Sequence, residues 1–266
     1  MSIKSKVLAA AATLTLVGGV GAAGVLTAAP AMAGTPSCGS SCINIFSQDF
    51  GTRHHPNFTL DVLRQGEKVG QPIILFRTAN YDPALDWSIT FQGTVADFYS
   101  AGLVTAETAL HYGCNPAVFS GGTCFTPATA TTPASGTFPN LDAFEIEYAP
   151  FGVNSGLCAG VAATAFQNEG VTLQPCGVSA KTVWIIDTID NDIYAGTFPL
   201  INGSNTNFSH PFVLTYPNSG YPTDKPRPQI VVQNLTGFES PGPPYLPEIG
   251  TVSSNQLWSA FFGVSP

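Results

Sequence analysis

Charged residues are scarce in this sequence, and basic residues are the scarcest. Only 10% of the 266 residues are Asp, Glu, Lys or Arg, and nine Lys and Arg stand against 17 Asp and Glu. An average domain carries about 25% charged residues, and nucleic-acid binding needs a basic surface that neutralises phosphates. The composition therefore excludes a nucleic-acid partner from our expectations.

Helical patterning is also scarce. The chain contains 27 Gly and 22 Pro, residues that disfavour helix interiors. Short runs rich in Val, Ile, Phe and Thr recur instead, bounded by Gly, Pro, Asn or Asp, which is typical of an all-β protein. We expect one short helix, at residues 95–112, inside an insertion.

Local catalytic motifs are missing. The sequence holds no His-Glu-x-x-His, no Gly-x-Ser-x-Gly and no phosphate loop, so it predicts no cofactor and no metal site. Glu145 and Glu147 share one face of a predicted strand, whereas glycoside hydrolysis needs carboxylates opposed across a cleft. We do not expect an enzyme, and a glycoside hydrolase is the least favoured alternative.

The N-terminal segment has the pattern of an export signal. Lys4 and Lys6 precede an uncharged run of Ala, Val and Leu, and Ala31-Met32-Ala33 stands before Gly34. This pattern predicts a secretory signal peptide, residues 1–33, that is cleaved. A membrane anchor is the alternative, which the glycines of the run and Pro30 disfavour. Residues 34–266 are then expected to form one secreted, extracellular domain without membrane attachment.

All six cysteines follow the predicted leader. An even number of cysteines in an exported chain indicates disulfides. The six form three local pairs, and short loops close most readily. We predict the bridges Cys38–Cys42, Cys114–Cys124 and Cys158–Cys176.

Twelve runs qualify as strands, and they divide into three groups of four. Each group ends with a strand that carries one of the three tryptophans of the chain, Trp87, Trp184 and Trp258. This spacing predicts a threefold repeat at about 43–93, 143–188 and 196–263, with insertions near 94–141 and 236–255. The twelve runs are residues 43–47, 58–63, 72–78, 86–93, 143–150, 156–162, 171–176, 181–188, 196–203, 211–217, 229–235 and 256–263.

Short motifs in these groups resemble one known family. The middle group reads Gly156-Leu-Cys-Ala-Gly-Val161, then a strand ending at Cys176, then Trp184, and the third group holds Asn255-Gln-Leu-Trp258. These elements resemble the Cys-x-Asp and Gln-x-Trp strands of ricin-B-type β-trefoil lectins. The resemblance implies a β-trefoil of twelve strands, and a two-sheet β-sandwich is the main alternative.

The resemblance also implies roles for particular residues. The three tryptophans would fill the core, and Gln256 would bond to backbone across the third repeat. In the family, the Asp of the first motif, an aromatic side chain near the end of the next strand and the Asn before Gln-x-Trp contact sugar. The first repeat matches this set in part, with Asp61 and Phe76, and Tyr81 and Asp82 follow on a loop.

The other two repeats match the family's sugar site poorly. Gly160 and Gln174 take the Asp and aromatic positions in the middle repeat, and Thr215 and Gln233 take them in the third. We therefore predict one partly degenerate sugar site. For Asp61, the alternative to ligand contact is a solvent-facing carboxylate that pairs with Arg64 or Arg77.

Two functions on this fold stay open. The first is a secreted lectin-like protein whose partner is a carbohydrate or cell-surface glycan. The second is a protease inhibitor or protein-interaction module, because trefoils host both functions and the loops decide between them. The stiff segment Pro241-Gly-Pro-Pro-Tyr-Leu-Pro247 would then contact a protein partner.

Overall fold

The structure is a computed structural model, and it describes ten stretches of the chain. The chain divides after Met32, and every described residue belongs to the second part. Several predicted features lie outside the described residues: the leader 1–33, Tyr81, Asp82, the segment 241–247, and the side chains that would form the bridges Cys38–Cys42 and Cys114–Cys124. The described stretches are residues 42–48, 51–52, 55–56, 58–77, 87–113, 140–187, 197–208, 210–217, 227–236 and 252–262.

Strands dominate the described residues, so the all-β prediction is confirmed. Twelve of the strands form one sheet, and each of the twelve predicted runs overlaps one of them. Two further strands, of two residues each, pair only with one another. The strands are β1 (Cys42–Ser47), β2 (Gly51–Thr52), β3 (His55–Pro56), β4 (Phe58–Val62), β5 (Ile73–Arg77), β6 (Trp87–Thr94), β7 (Asp142–Tyr148), β8 (Leu157–Val161), β9 (Glu169–Pro175), β10 (Val183–Ile186), β11 (Leu200–Asn202), β12 (Phe212–Thr215), β13 (Val231–Asn234) and β14 (Trp258–Phe262).

The predicted helix at 95–112 is two helices, α1 (Val95–Ser100) and α2 (Ala106–Tyr112). Thr94 caps α1 in a capping box with Asp97, and the hydrogen bond from the Thr94 backbone lowers the pKa of the Asp97 carboxyl. Gly102 then takes a φ of 75°, a left-handed conformation that ends the first helix. Thr105 caps α2, because its side chain accepts from the Thr108 backbone N–H.

Strand pairing is antiparallel throughout the sheet and closes on itself. Seven strands form a closed cycle in the order β7, β8, β9, β13, β12, β11 and β10. The other five extend from it, since β6 pairs with β7, β1 pairs with β6, β4 and β14, and β4 pairs with β5. A bridge between Phe198 and Trp258 ties β14 back to the residues just before β11.

Three hairpins repeat within this sheet: β4–β5, β8–β9 and β12–β13. They also meet one another. Strand β9 pairs with β13, Pro72 bridges to Thr172, and Ile74 bridges to Gln229. Each hairpin therefore contacts both of the others through backbone hydrogen bonds.

Each of the three tryptophans makes the same contact with one of the three hairpins. All three are fully buried. The indole N–H of Trp87 donates to the Leu60 carbonyl at 3.0 Å, that of Trp184 to Ala159 at 2.9 Å, and that of Trp258 to Leu214 at 2.7 Å. The prediction that they fill the core is confirmed.

Buried apolar side chains form two clusters. One holds the tryptophans and the inward faces of the hairpins. The other joins α1 and α2 to strands β7, β10, β11 and β12. Tyr112 of α2 also forms a hydrogen bond beside this second cluster, because its hydroxyl accepts from the Asn205 side chain at 3.2 Å. The described part of the insertion is thus part of the core. None of the described helices has the length and apolar character needed to cross a membrane.

Removing one tryptophan should test the core. We expect Trp258→Ala to lower the free energy of unfolding by about 3–5 kcal/mol, because it empties a packed site and leaves the Leu214 carbonyl without its donor. Thermal unfolding measures the change. Phe166→Ala is the control, since Phe166 is exposed and should shift stability by less than about 0.5 kcal/mol. Equal melting temperatures for Trp258→Ala and the control would contradict the assignment.

Candidate functional site

Strand register defines equivalent positions in the three hairpins. Leu60, Ala159 and Leu214 correspond, because each accepts a tryptophan N–H. The next residues along the strands therefore also correspond, and these are Asp61, Gly160 and Thr215. The cross-strand pairs Thr59–Phe76, Cys158–Gln174 and Val213–Gln233 complete the correspondence. The positions that the sequence assigned to the sugar-binding Asp and aromatic are thus equivalent in the structure.

The first hairpin brings two of the predicted site residues to one face. Phe58, Leu60 and Val62 of β4 point into the core. Thr59 and Asp61 alternate with them and lie on the opposite face, across from Phe76 and Ile74 of β5. Asp61 and Phe76 are therefore diagonal neighbours, roughly 7–8 Å apart by backbone spacing.

Asp61 is more enclosed than the sequence suggested. Its side chain is only 4% exposed, and its Oδ1 accepts from the Val62 backbone N–H at 2.6 Å. The expectation of a solvent-facing carboxylate is corrected, because β4 is a buried strand on both faces. Its neighbour Thr59 is fully buried, and the Thr59 hydroxyl has no hydrogen-bond partner within the described structure.

Phe76 contacts a residue that the sequence reasoning missed. The guanidinium of Arg227 lies 4.0 Å from the centre of the Phe76 ring, a cation–π distance. Arg227 is far from Phe76 in sequence, and the bridge between Ile74 and Gln229 brings the two segments together. A signal was available, because the few basic residues of the chain are concentrated near positions 53–77 and 225–227.

The second hairpin has no room for a side chain at the Asp position. A Cβ on Gly160 would lie 2.6 Å from the Lys181 carbonyl oxygen, well inside van der Waals contact. The disulfide Cys158–Cys176 joins the two strands on the same face, which confirms the predicted pairing. At the aromatic position, the Gln174 amide donates to Thr172 at 2.8 Å. This hairpin offers no carboxylate and no aromatic ring at these positions.

In the third hairpin, the polar groups bond to one another. The fully buried Thr215 hydroxyl donates to the Val213 carbonyl and accepts from Gln256 at 3.2 Å. The Gln256 amide also donates to the Asn234 carbonyl and accepts from the Thr236 N–H. The predicted structural role of Gln256 is thus visible in its contacts. Asn255 donates to the Tyr216 carbonyl, and Tyr216 itself is buried.

Glu145 and Glu147, the carboxylates considered for hydrolysis, accept hydrogen bonds from neighbouring turns. Glu145 is buried and accepts from Gly177 N–H at 3.0 Å and from the Thr182 hydroxyl at 2.5 Å. Glu147 is buried and accepts from Gly156 N–H at 2.6 Å. Both hold the turns that flank β8 and β9. Among the described residues, no group of three His, Cys, Asp or Glu side chains lies close enough to hold a metal ion.

No family model matches this chain, and no curated protein matches it. Solved structures do resemble it. The designed threefold-symmetric protein ThreeFoil is similar over 83% of this chain and 97% of its own, at 11% identity and a TM-score of 0.44. A lectin of Polyporus squamosus, solved with a human-type influenza-binding epitope, is similar over 84% of this chain and 49% of its own. Its sequence identity is 12% and its TM-score is 0.38. The agglutinin of Abrus precatorius is similar over 83% of this chain and 96% of its own. Its sequence identity is 13% and its TM-score is 0.25. At these TM-scores the likeness does not assign the fold.

The close approach at Gly160 is open to a direct test. We expect Gly160→Ala to lower the free energy of unfolding by about 1–3 kcal/mol, because the new Cβ would press on the backbone of residues 181–182. Urea unfolding gives the value. Thr164→Ala, on an exposed loop nearby, is the control and should leave the midpoint unchanged. An unchanged urea midpoint for Gly160→Ala would show that this position tolerates a side chain.

Proposed function

We propose that this chain is a β-trefoil protein of the ricin-B lectin type that binds carbohydrate on the outer face of hairpin β4–β5. The strand pairings support the fold. Strands β1, β6, β7, β10, β11 and β14 follow one another in a cycle that the Phe198–Trp258 bridge completes. The remaining six strands of the sheet are the three hairpins. Six barrel strands and three hairpins, with one equivalent tryptophan per repeat, make up the trefoil plan that the sequence motifs suggested.

One observation carries the functional part of the proposal. Asp61 and Phe76 share a face of the first hairpin, whereas the equivalent positions are Gly160 and Gln174 in the second and Thr215 and Gln233 in the third. A sugar needs an acceptor for its hydroxyls and an apolar surface for its ring. Only the first hairpin combines a carboxylate with an aromatic side chain at these positions.

The roles of the two side chains follow from their exposure. Phe76 is partly exposed and would pack against the apolar side of a sugar ring, next to the Arg227 guanidinium that covers one of its faces. Asp61 is nearly buried, so we expect it to accept from a single hydroxyl. Tyr81 and Asp82, which follow β5 in sequence, would supply further polar contacts.

The same proposal includes secretion. The N-terminal run of residues 1–33 has the composition of a cleaved signal peptide. The bridge Cys158–Cys176 supports export, because disulfides persist in oxidising compartments. The lectin would then meet glycans outside the cell.

Sugar titration tests the function. We expect galactose-, xylose- or arabinose-containing oligosaccharides to shift NMR signals of β4 and β5, with millimolar to high-micromolar affinity, about −4 to −6 kcal/mol. Phe76→Leu should weaken binding at least tenfold, because it keeps an apolar side chain but removes the ring. Gln174→Leu, the matched change in the second hairpin, should leave affinity unchanged.

Two results would contradict this function. One is the absence of any shift with these sugars up to tens of millimolar. The other is equal affinity for the intact protein and Phe76→Leu. Asp61→Asn provides a separate check, since it preserves the size of a buried side chain while changing its charge. Unchanged binding in that variant would remove Asp61 from the site.

A second candidate function rests on the loop between β8 and β9. Phe166 at its tip is 53% exposed, although the loop is firmly held. Ala163 N–H donates to Glu169, Ala165 N–H donates to Ser204, and the Lys181 ammonium donates to the Ala162 carbonyl. An exposed aromatic on a fixed loop loses little freedom on binding, which suits a protease inhibitor.

A protease assay tests this alternative. Because a chymotrypsin-type protease takes large apolar side chains in its specificity pocket, we expect inhibition to depend on Phe166. Phe166→Ala should abolish inhibition, and Val178→Ala, which removes an exposed apolar side chain from another loop, should not. Rapid cleavage of the intact protein, or no inhibition, would exclude this function.

A further inference from the structure

Basic residues are concentrated in two stretches of this acidic sequence. The chain has a net charge of −8 and nine Lys and Arg. Lys4 and Lys6 belong to the predicted leader, and only Lys181 stands alone among the remaining seven. The other six lie within two short stretches, residues 53–77 and 225–227, which contain two carboxylates, Asp61 and Glu67. These stretches include the first hairpin and the segment that leads to Gln229.

The structure brings β5, at the end of the first stretch, next to the residues that follow Arg227. Ile74 of β5 bridges to Gln229, and the Ile230 N–H donates to the Ile73 carbonyl at 2.8 Å. The Gln229 amide also donates to the Val171 carbonyl at 3.0 Å. Arg227, two residues before Gln229, is thereby carried to the face of the first hairpin that holds Phe76. Arg64 and Lys68 lie exposed in the turn between β4 and β5.

The Arg227 guanidinium can donate hydrogen bonds to a ligand while it stacks on a ring. The guanidinium carbon lies 4.0 Å from the centre of the Phe76 ring. A guanidinium has five N–H donors in a plane, and a carboxylate can accept two of them side by side. Stacking on the ring fixes that plane, so less side-chain freedom is lost when an anion binds.

Arg227 and Asp61 would orient a ligand by opposite preferences. The guanidinium attracts a carboxylate, whereas the Asp61 carboxylate repels one and accepts from hydroxyls. Phe76 contacts Arg227 and is the diagonal neighbour of Asp61 across the hairpin. A ring that carries a carboxylate on one edge and hydroxyls on another matches this arrangement.

We propose that the first hairpin recognises acidic saccharides, and that Arg227 binds the carboxylate of a hexuronate residue while Asp61 accepts from its hydroxyls. This inference rests on the proposed carbohydrate-binding function and adds the substrate class. Arg64 and Lys68, exposed in the turn of the same hairpin, add positive charge that attracts such an anion.

Comparison of matched ligands tests the inference. The intact protein is titrated with a galacturonate trisaccharide and with the corresponding neutral galactose trisaccharide, by calorimetry and NMR. We expect the uronate to bind at least tenfold more tightly at low salt. Raising the salt from about 0.05 to 0.5 M should weaken only the uronate, because the contact is a partly exposed ion pair.

Variants at Arg227 separate a specific contact from general attraction. Arg227→Met should weaken uronate binding at least tenfold more than it weakens neutral-sugar binding, because methionine keeps an apolar stem beside Phe76 and lacks the charge. Arg227→Lys should restore part of the affinity, since lysine keeps the charge without the planar fork. Lys181→Met removes the same charge far along the sequence and should have no effect.

Each outcome bears on the inference in a defined way. Equal affinity for the two trisaccharides, with no effect of Arg227→Met, would overturn it and leave the carbohydrate-binding function standing. Equal losses in Arg227→Met and Lys181→Met would overturn it in favour of non-specific attraction. Binding of neither trisaccharide would overturn both the inference and the function on which it rests.

Discussion

The hydrogen bond from each buried indole to a hairpin carbonyl is the contact on which the rest of this structure depends. Burying an indole N–H without an acceptor would cost about 1–3 kcal/mol. The carbonyls of Leu60, Ala159 and Leu214 remove that cost, and each bond spans 2.7–3.0 Å. Because the bond joins a fixed atom on β6, β10 or β14 to one residue of a hairpin, it sets the position of that hairpin relative to the core.

This common frame makes the differences between the hairpins informative. The same position is Asp61 in the first, Gly160 in the second and Thr215 in the third. In the second hairpin, residues 181 and 182 occupy the space that a side chain at Gly160 would need. In the third, the Gln256 amide donates a hydrogen bond to the Thr215 hydroxyl. The positions of Gly160 and Thr215 therefore serve internal packing and hydrogen bonding. In the first hairpin, this position is a carboxylate on the same face as an aromatic ring.

Local patterns predicted much of the fold. The twelve strands, the buried tryptophans and the bridge Cys158–Cys176 each follow from residues that are near one another in sequence. The pairing of Asp61 and Phe76 on one face was also predictable, because side chains alternate along strands. The division of the predicted helix was missed, since it depends on the left-handed conformation of Gly102.

Features that depend on contacts between hairpins could not be predicted in this way. The stacking of Arg227 on Phe76 joins a residue just before β13 to one on β5. The burial of Asp61 likewise depends on what packs over β4, which periodicity within the strand does not reveal. Sequence motifs therefore indicated where the candidate site lies, and only the packing between hairpins showed its charge and its degree of enclosure.

The pairing of the first and last strands has a consequence for how the chain folds. Ile43 of β1 lies opposite Phe262 of β14, so this ladder joins the two ends of the described chain. Contacts between distant residues form slowly, because the entropy of closing the long intervening loop is lost before the contact is gained. During synthesis, β1 must wait for β14 to emerge, and until then its edge is open to pairing with other chains. Completion of the sheet is therefore expected to be a late folding event.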